Sequence, residues 1–364
     1  LTIDFERVKD LQENANVKVN EDTHSFAIIL RTSGTMGEAK LPVFRHFNFS
    51  ADIRGSLKYV PINPQDRFLS LGSWFHVFPL MSTLLTPLYT GASTIYYNPR
   101  QQRYLPDIAQ AVKPTLLFGV PKLYNQIYKK IAQSKKGWLL DPSLPEFIKK
   151  PARKLLEQIP GKKVDRLNNQ LAKKTKCFIR RSLGWIIGLG LHKKFGGKMK
   201  FMFSGGAPLS KFIHRQFTKS MKVQLVQGYG LSENSPVATV PPLKGDLDPE
   251  GFSALLRKIF PFIPYAAPVQ EPGSVGKVLD NVAYKIREDQ QLLLQGPTTF
   301  AGYWTENGLK KPFTPDGFFN TKDRVKEEED ELYILGRGDR LFVLPSGKNV
   351  QPETIEKRLR TIPE

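Results

Sequence analysis

A single cysteine, Cys177, stands among 364 residues, so no disulfide can close within the chain and a reducing, cytoplasmic compartment is the expectation. Apolar runs are short. None approaches the ~20 residues a membrane-crossing helix requires, and no charged-then-apolar leader opens the sequence. Acidic residues are scarce beside basic ones, 34 against 54, which leaves a formal net charge of +20. An excess of that size raises nucleic acid as a partner. Zinc-ligand spacing, an RNP-like aromatic pattern and a helix-turn-helix signature are all missing, however, so no nucleic-acid role is expected. Also missing is the Walker pattern Gly-x-x-x-x-Gly-Lys-Ser/Thr. Hydrophobic residues make up 40% of the chain, enough to fill one large or two medium cores.

The most informative stretch is Thr32-Ser-Gly-Thr-Met-Gly-Glu-Ala-Lys40. Gly34 and Gly37 let backbone amides turn toward an anion, Thr32, Ser33 and Thr35 add hydroxyl donors, and Lys40 adds a point charge. These groups suit a phosphate chain. The preceding Phe26-Ala-Ile-Ile-Leu30 reads as a buried strand, which would put the loop at a strand end, where open α/β sheets bind ligands. A loop of this composition alone also fits an ordinary surface turn.

Further glycine-rich and charged motifs follow in order. They are Ser204-Gly-Gly-Ala-Pro-Leu209, Gly228-Tyr-Gly-Leu-Ser-Glu-Asn234, Asp316-Gly-Phe-Phe-Asn-Thr-Lys-Asp323, Gly336-Arg-Gly-Asp339 and Gly347-Lys-Asn-Val-Gln-Pro352. With the 32–40 loop, this order resembles the adenylate-forming superfamily. Phe118-Gly-Val-Pro-Lys-Leu-Tyr124 and His76 within Trp74-Phe-His-Val77 resemble its long-chain fatty acyl-CoA synthetase branch. The resemblance runs from about residue 24 to the C-terminus and is weakest over 134–195 and 241–270.

The resemblance implies a mainly parallel α/β core flanked by helices, with a small antiparallel β subdomain and most of a C-terminal lid domain missing. Domain bounds are expected at 1–271 for the core, 272–338 for the β subdomain and 339–364 for the hinge and start of the lid. Because the family carries a subdomain before its phosphate loop and a lysine-bearing lid after its hinge, the chain reads as a core fragment. The implied activity is ATP-dependent joining of a fatty acid to a thiol through acyl-AMP. Coenzyme A is the usual acceptor, and acyl carrier protein is an alternative that a basic surface would also suit.

Residue roles carry over by position. Thr32, Ser33, Gly34, Thr35, Gly37 and Lys40 would hold the β- and γ-phosphates, with Thr35 and Lys40 acting in catalysis. Glu233 would contact Mg²⁺, and Ser232 would lie near the α-phosphate. Gly228, Tyr229 and Gly230 would flank adenine, with Gly206, Ala207 and Pro208 on its other side. Asp323 would accept the ribose hydroxyls, Arg337 would donate to ribose or phosphate, His76 would lie near the acyl carboxylate, and Asp339 would be the hinge. Several positions depart from the family pattern. Met36, Ala39 and Leu41 replace its threonine, proline and glycine, Arg340 replaces a frequent aspartate, and Lys322 stands where glycine usually precedes the ribose aspartate. If that position requires positive φ, lysine is strained there by roughly 1–3 kcal/mol. Those departures keep a catalytically impaired nucleotide- or acyl-binding protein open as a reading of another class.

Charge is uneven. From Lys129 to Lys200 there are 20 Lys and Arg against 4 acids. Within that stretch, a basic insertion over about 134–195 carries Leu183-Gly-Trp-Ile-Ile-Gly-Leu-Gly-Leu191, flanked by Arg180-Arg181 and Lys193-Lys194. Nine residues cannot span a bilayer but can lie on an anionic one, so peripheral membrane contact is one reading and a solvated helical insertion is the other. Elsewhere, helical faces are expected at Arg54–Val60, Leu80–Leu88 and Pro121–Ile131. Strands are expected at Ser93–Tyr97, Thr115–Phe118, Lys198–Ser204 and Val223–Gln227, and short alternating strands after Pro272.

Overall fold

A computed structural model describes residues 22–32, 40–97, 104–133, 191–220, 224–243, 270–338, 342–343 and 349–350. In chain order these form β1 (Phe26–Ile29), β2 (Pro42–Arg45), α1 (His46–Leu57), β3 (Arg67–Ser70), α2 (Val77–Leu80), a π-helical stretch Met81–Leu85, α3 (Thr86–Thr90) and β4 (Ser93–Tyr96). Then come α4 (Leu105–Val112), β5 (Leu116–Gly119), α5 (Pro121–Gln133), β6 (Phe201–Ser204), α6 (Lys211–Arg215), β7 (Leu225–Gln227), β8 (Tyr229–Gly230) and β9 (Val237–Val240). The remainder is mostly β: β10 (Lys277–Val278), β11 (Ala283–Ile286), β12 (Gln291–Gln295), β13 (Gly302–Thr305), β14 (Gly308–Lys310), β15 (Phe319–Glu328) and β16 (Glu331–Arg337).

The centre is a five-stranded parallel sheet in the order β4-β3-β5-β6-β7. Its strands are short and nearly continuous in apolar residues because both faces are covered. Leu69, Leu117, Met202 and Leu225 face one core, where Leu105 and Ala109 of α4 and Leu123 and Tyr124 of α5 pack. Their neighbours Phe68, Leu116, Phe201, Phe203 and Val226 face the other, against Val240, Leu292, Leu294 and Val325 of the antiparallel strands. The period-two alternation of a strand thus sorts each strand's residues between a helical layer and a β layer. Burying each fully enclosed Leu or Phe side chain contributes about 1.5–3 kcal/mol.

Strands after Pro272 are antiparallel, with β11-β12-β15-β16 forming one sheet, and most are short as expected, but β15 runs for ten residues and β16 for seven. Strands on either side of residue 271 also share sheets: β10 pairs with β9, and β13 pairs with β2.

Two sequence expectations need correction. Phe26–Leu30 is not a buried strand feeding the parallel sheet. β1 is an edge strand, antiparallel to β2 in the sheet β1-β2-β13-β14, with Phe26 and Ile29 about half exposed at 49% and 50%. An apolar run signals a strand, but exposure depends on which strands pair with it, and among the described residues only β2 does. The helix expected at Arg54–Val60 runs instead over His46–Leu57, so the expected segment covers only its last turn and the turn beyond. The face expected at Leu80–Leu88 lies within a longer helical stretch, Val77–Thr90, interrupted by the π-helical turns. There Ser82 and Thr83 hydroxyls donate to the Phe78 and Pro79 carbonyls at 2.7 Å each. No helix among the described residues is long and apolar enough to cross a membrane.

Candidate functional site

The carboxyl ends of β6 and β7 deliver two glycine turns to one place. Gly205 and Gly206 follow β6, and Gly228 follows β7. Gly206 has φ +79°, a left-handed conformation that glycine takes without strain. Gly230 has no room for a side chain, since a Cβ there would lie 1.7 Å from the Pro236 carbonyl oxygen. These turns, with Thr32, His76, Phe78, Tyr229 and Ser232, line a cavity of about 570 Å³. That volume is within the range of ordinary small-ligand sites. Ala207 and Pro208 continue the turn on the exposed side of Gly206 and do not line it. His76 lies at the start of α2 on the cavity's exposed wall, beside Phe75.

Behind the cavity wall lies a polar cluster. The Tyr229 backbone amide donates to Thr239 Oγ1 at 3.1 Å, and its hydroxyl donates to Asp323 Oδ2 at 2.6 Å. Arg337, paired across β15 and β16 with Asp323, brings its guanidinium to 3.4 Å from Oδ1. Burial, followed by the Asp323 charge, raises the Tyr229 hydroxyl pKa, so the phenol keeps its proton and serves as donor. Lys322, immediately before Asp323, adopts φ +63°. The expected positive φ before this aspartate is therefore present, on a residue with a Cβ.

A second cluster forms around Glu233 on the 3₁₀ turn Ser232–Asn234. The Phe300 amide donates to the Glu233 carbonyl at 2.9 Å, and Thr298 Oγ1 donates to Asn234 Oδ1 at 2.9 Å, which fixes the turn's backbone. Tyr303 on β13 donates its hydroxyl to Glu233 Oε1 at 2.6 Å. Burial and then the Glu233 charge push this phenol's pKa up as well. The ammonium of Lys40 sits over the Tyr303 ring, 5.2 Å from its centre.

Thr32 and Lys40 form an antiparallel bridge, their amides and carbonyls exchanging hydrogen bonds at 2.9 and 3.1 Å. The bridge pins both ends of the 32–40 loop beside the cavity. Ser33, Gly34, Thr35 and Gly37 within that loop, and Asp339 at the expected hinge, lie outside the described residues, as does most of the 134–195 insertion.

Tyr303 escaped sequence reading altogether. Its partner Glu233 is 70 residues away, and no local pattern marks a tyrosine on a strand as a partner for a distant carboxylate. Among the described residues no group of three or more His, Cys, Asp or Glu gathers as a metal cage. One carboxylate completed by phosphate oxygens and water is a donor set that suits Mg²⁺, and Glu233, whose Oε1 accepts a neutral hydroxyl, fits it.

The family profile described as AMP-binding enzyme matches residues 2–304. Curated relatives include the long-chain-fatty-acid–CoA ligase FadD15 of Mycobacterium bovis, 27% identical over 341 residues, covering 93% of this chain and 50% of the relative. Long chain acyl-CoA synthetase 6, peroxisomal, of Arabidopsis thaliana is 26% identical over 334 residues, covering 91% of this chain and 43% of the relative. The chain thus spans about half the length of the curated relatives it matches. Among solved structures, ATP-bound MatB from Rhodopseudomonas palustris aligns with a TM-score of 0.65 at 22% identity, covering 96% of this chain and 55% of that one. Wild-type E. coli MenE with a bound analogue of OSB-AMS aligns at 0.57 and 18%, covering 94% and 55%. At such identities the structural likeness establishes the fold: the parallel core and antiparallel sheets are those of MatB and MenE.

Proposed function

Since the chain belongs to the AMP-binding enzyme family, we propose that it forms the nucleotide-binding core of an ATP-dependent acid–thiol ligase acting on a long-chain fatty acid, with coenzyme A as acceptor. The observation that carries this reading is the cavity at the ends of β6 and β7, with the Tyr229–Asp323–Arg337 cluster behind one wall and the Lys40–Tyr303–Glu233 cluster beside the turn that forms another.

Attack of a carboxylate on ATP brings two anions together, so the site must neutralise the α-phosphate and stabilise departing pyrophosphate. In this reading adenine lies in the cavity between Tyr229 and the Gly206 turn. The ribose hydroxyls bond Asp323, whose two oxygens keep lone pairs for them beside the donors Tyr229 and Arg337. Lys40 and the loop it closes, with Thr32, Ser33, Gly34, Thr35 and Gly37, bind the β- and γ-phosphates. Ser232 donates near the α-phosphate, and His76 orients the incoming acyl carboxylate. Glu233 would hold Mg²⁺, which would supply positive charge to the phosphate oxygens. Arg337 donates to ribose or phosphate, and Asp339 is the point about which a lid would swing.

Long-chain specificity is supported by the named activities of the relatives and by the Phe118–Tyr124 segment, whose Phe118 packs between Phe68 and Phe203. Each CH₂ buried on binding contributes about 0.8 kcal/mol, so kcat/KM should rise steeply with chain length. The test is thioester formation by the full-length protein with coenzyme A and acids from C2 to C16. A steep rise toward C16 is expected, and a flat profile contradicts the long-chain assignment.

A further inference from the structure

We infer that Tyr303 is a positioning residue that holds the carboxylate of Glu233 and the ammonium of Lys40 apart and ready for Mg²⁺-ATP, the ring taking Lys40 by its face and Glu233 by its hydroxyl. The inference rests on the nucleotide-site reading above and adds to it a residue that no motif of the sequence marks.

Tyr303 stands at the meeting point of the two elements it serves. Its strand pairs with β2, the strand that leaves the 32–40 loop: Tyr303 lies opposite Pro42, and the Trp304 amide donates to the Leu41 carbonyl at 2.8 Å. Three residues before it, Phe300 binds the Glu233 backbone at 2.9 Å and stacks edge-on against the Tyr303 ring, centres 4.8 Å apart. Phe300 is itself buried among Phe313 and Phe319, so the ring's place is set by the core.

A lysine and a glutamate facing one small space attract each other, and a direct pair would have to break before either could serve a ligand. Here Lys40 and Glu233 make no such pair. The ammonium rests on the ring face at 5.2 Å, while the carboxylate accepts the hydroxyl at 2.6 Å. A bond from a neutral donor leaves the carboxylate's full charge for a cation, and fixes its direction in advance.

The test is binding of ATP to the full-length protein by calorimetry across a Mg²⁺ titration, which needs no turnover. Tyr303→Phe keeps the ring and removes the hydroxyl. It should raise the Mg²⁺ concentration for half-maximal enhancement of ATP binding about tenfold while leaving Mg²⁺-free ATP affinity within about twofold. Tyr303→Leu, which also removes the ring face from Lys40, should weaken Mg²⁺-free ATP binding as well, by about twofold to fivefold. In a Glu233→Gln background, Tyr303→Phe should add nothing, because its effect passes through that carboxylate. An unchanged Mg²⁺ midpoint in Tyr303→Phe, or an equal shift in both backgrounds, overturns the inference alone. Wild-type protein that binds no ATP, or Glu233→Gln with a wild-type midpoint, overturns the site reading and the inference with it.

Discussion

The Tyr229 hydroxyl donates to Asp323 Oδ2 at 2.6 Å, while Arg337 faces the other oxygen, Oδ1, at 3.4 Å. The carboxylate expected to receive the ribose thus already has a donor on each side. Asp323→Ala removes the charged acceptor and should cost roughly 1.5–3 kcal/mol in nucleotide binding, or roughly tenfold to a hundredfold in Kd. Calorimetry with ATP and its 2′,3′-dideoxy analogue checks it. The variant should bind both equally, and a retained preference for ribose would count against the assignment.

Lys322 occupies a left-handed conformation, φ +63°, and its amide is held by Asn320 Oδ1 at 2.8 Å. Glycine would take that conformation without the Cβ penalty of about 1–2 kcal/mol, though it gives back part of the gain through its freer unfolded chain. Lys322→Gly should therefore stabilise by about 0.5–1 kcal/mol and leave ATP affinity unchanged. Thermal unfolding reads the first and calorimetry the second.

Asp52 is fully buried on α1, where its carboxylate accepts the Val237 amide at 2.8 Å and the Ser56 hydroxyl at 3.2 Å. Desolvation by burial outweighs those bonds and holds its pKa well above the usual carboxylate value of 3.8. The folded state therefore binds this proton at a pH where the unfolded chain has released it. Stability from this group is complete below 3.8 and is lost as pH rises through the folded-state pKa. Asp52→Asn keeps an acceptor for Val237 and has no such slope. Denaturant unfolding from pH 3.5 to 7 should show the variant gaining on the wild type as pH rises; a gap constant with pH would contradict the shift.

Between Lys129 and Lys200 the sequence carries 20 basic residues against 4 acidic ones, and Trp185 lies in its apolar run. Peripheral docking on an anionic surface predicts that replacing Lys173, Lys174, Arg180 and Arg181 with glutamine releases the protein from anionic vesicles, at about 1 kcal/mol per charge before screening. Co-sedimentation is the measurement. Equal pelleting of both forms at low salt would leave the stretch as a solvated face or a surface for an acidic carrier protein.

What could be read from the sequence divides along physical lines. Phe201–Ser204 and Leu225–Gln227 were legible because a strand buried on both faces is an apolar run closed by glycine, and the run and the closing turn are both local. The strain at Lys322 was legible as a lysine where the family pattern has glycine. Phe26–Leu30 departs from the expected burial because the same apolar composition serves a buried strand and an edge strand, and the pairing with β2 separates them. The π-helical turns at Met81–Leu85 and the reach of Tyr303 to Glu233 had no local signal, since each is settled by tertiary packing.

The central claim, that Glu233 and the strand-end glycine turns hold Mg²⁺-ATP for attack by a fatty acid, is tested most directly by ATP–pyrophosphate exchange in the full-length protein. Exchange should depend on both a long-chain acid and Mg²⁺, and Glu233→Gln should lower it at least a hundredfold, about 2.7 kcal/mol or more, with thermal stability unchanged. Exchange in the Glu233→Gln variant at the wild-type rate, or none in the wild type with any acid from C2 to C16, would contradict the account.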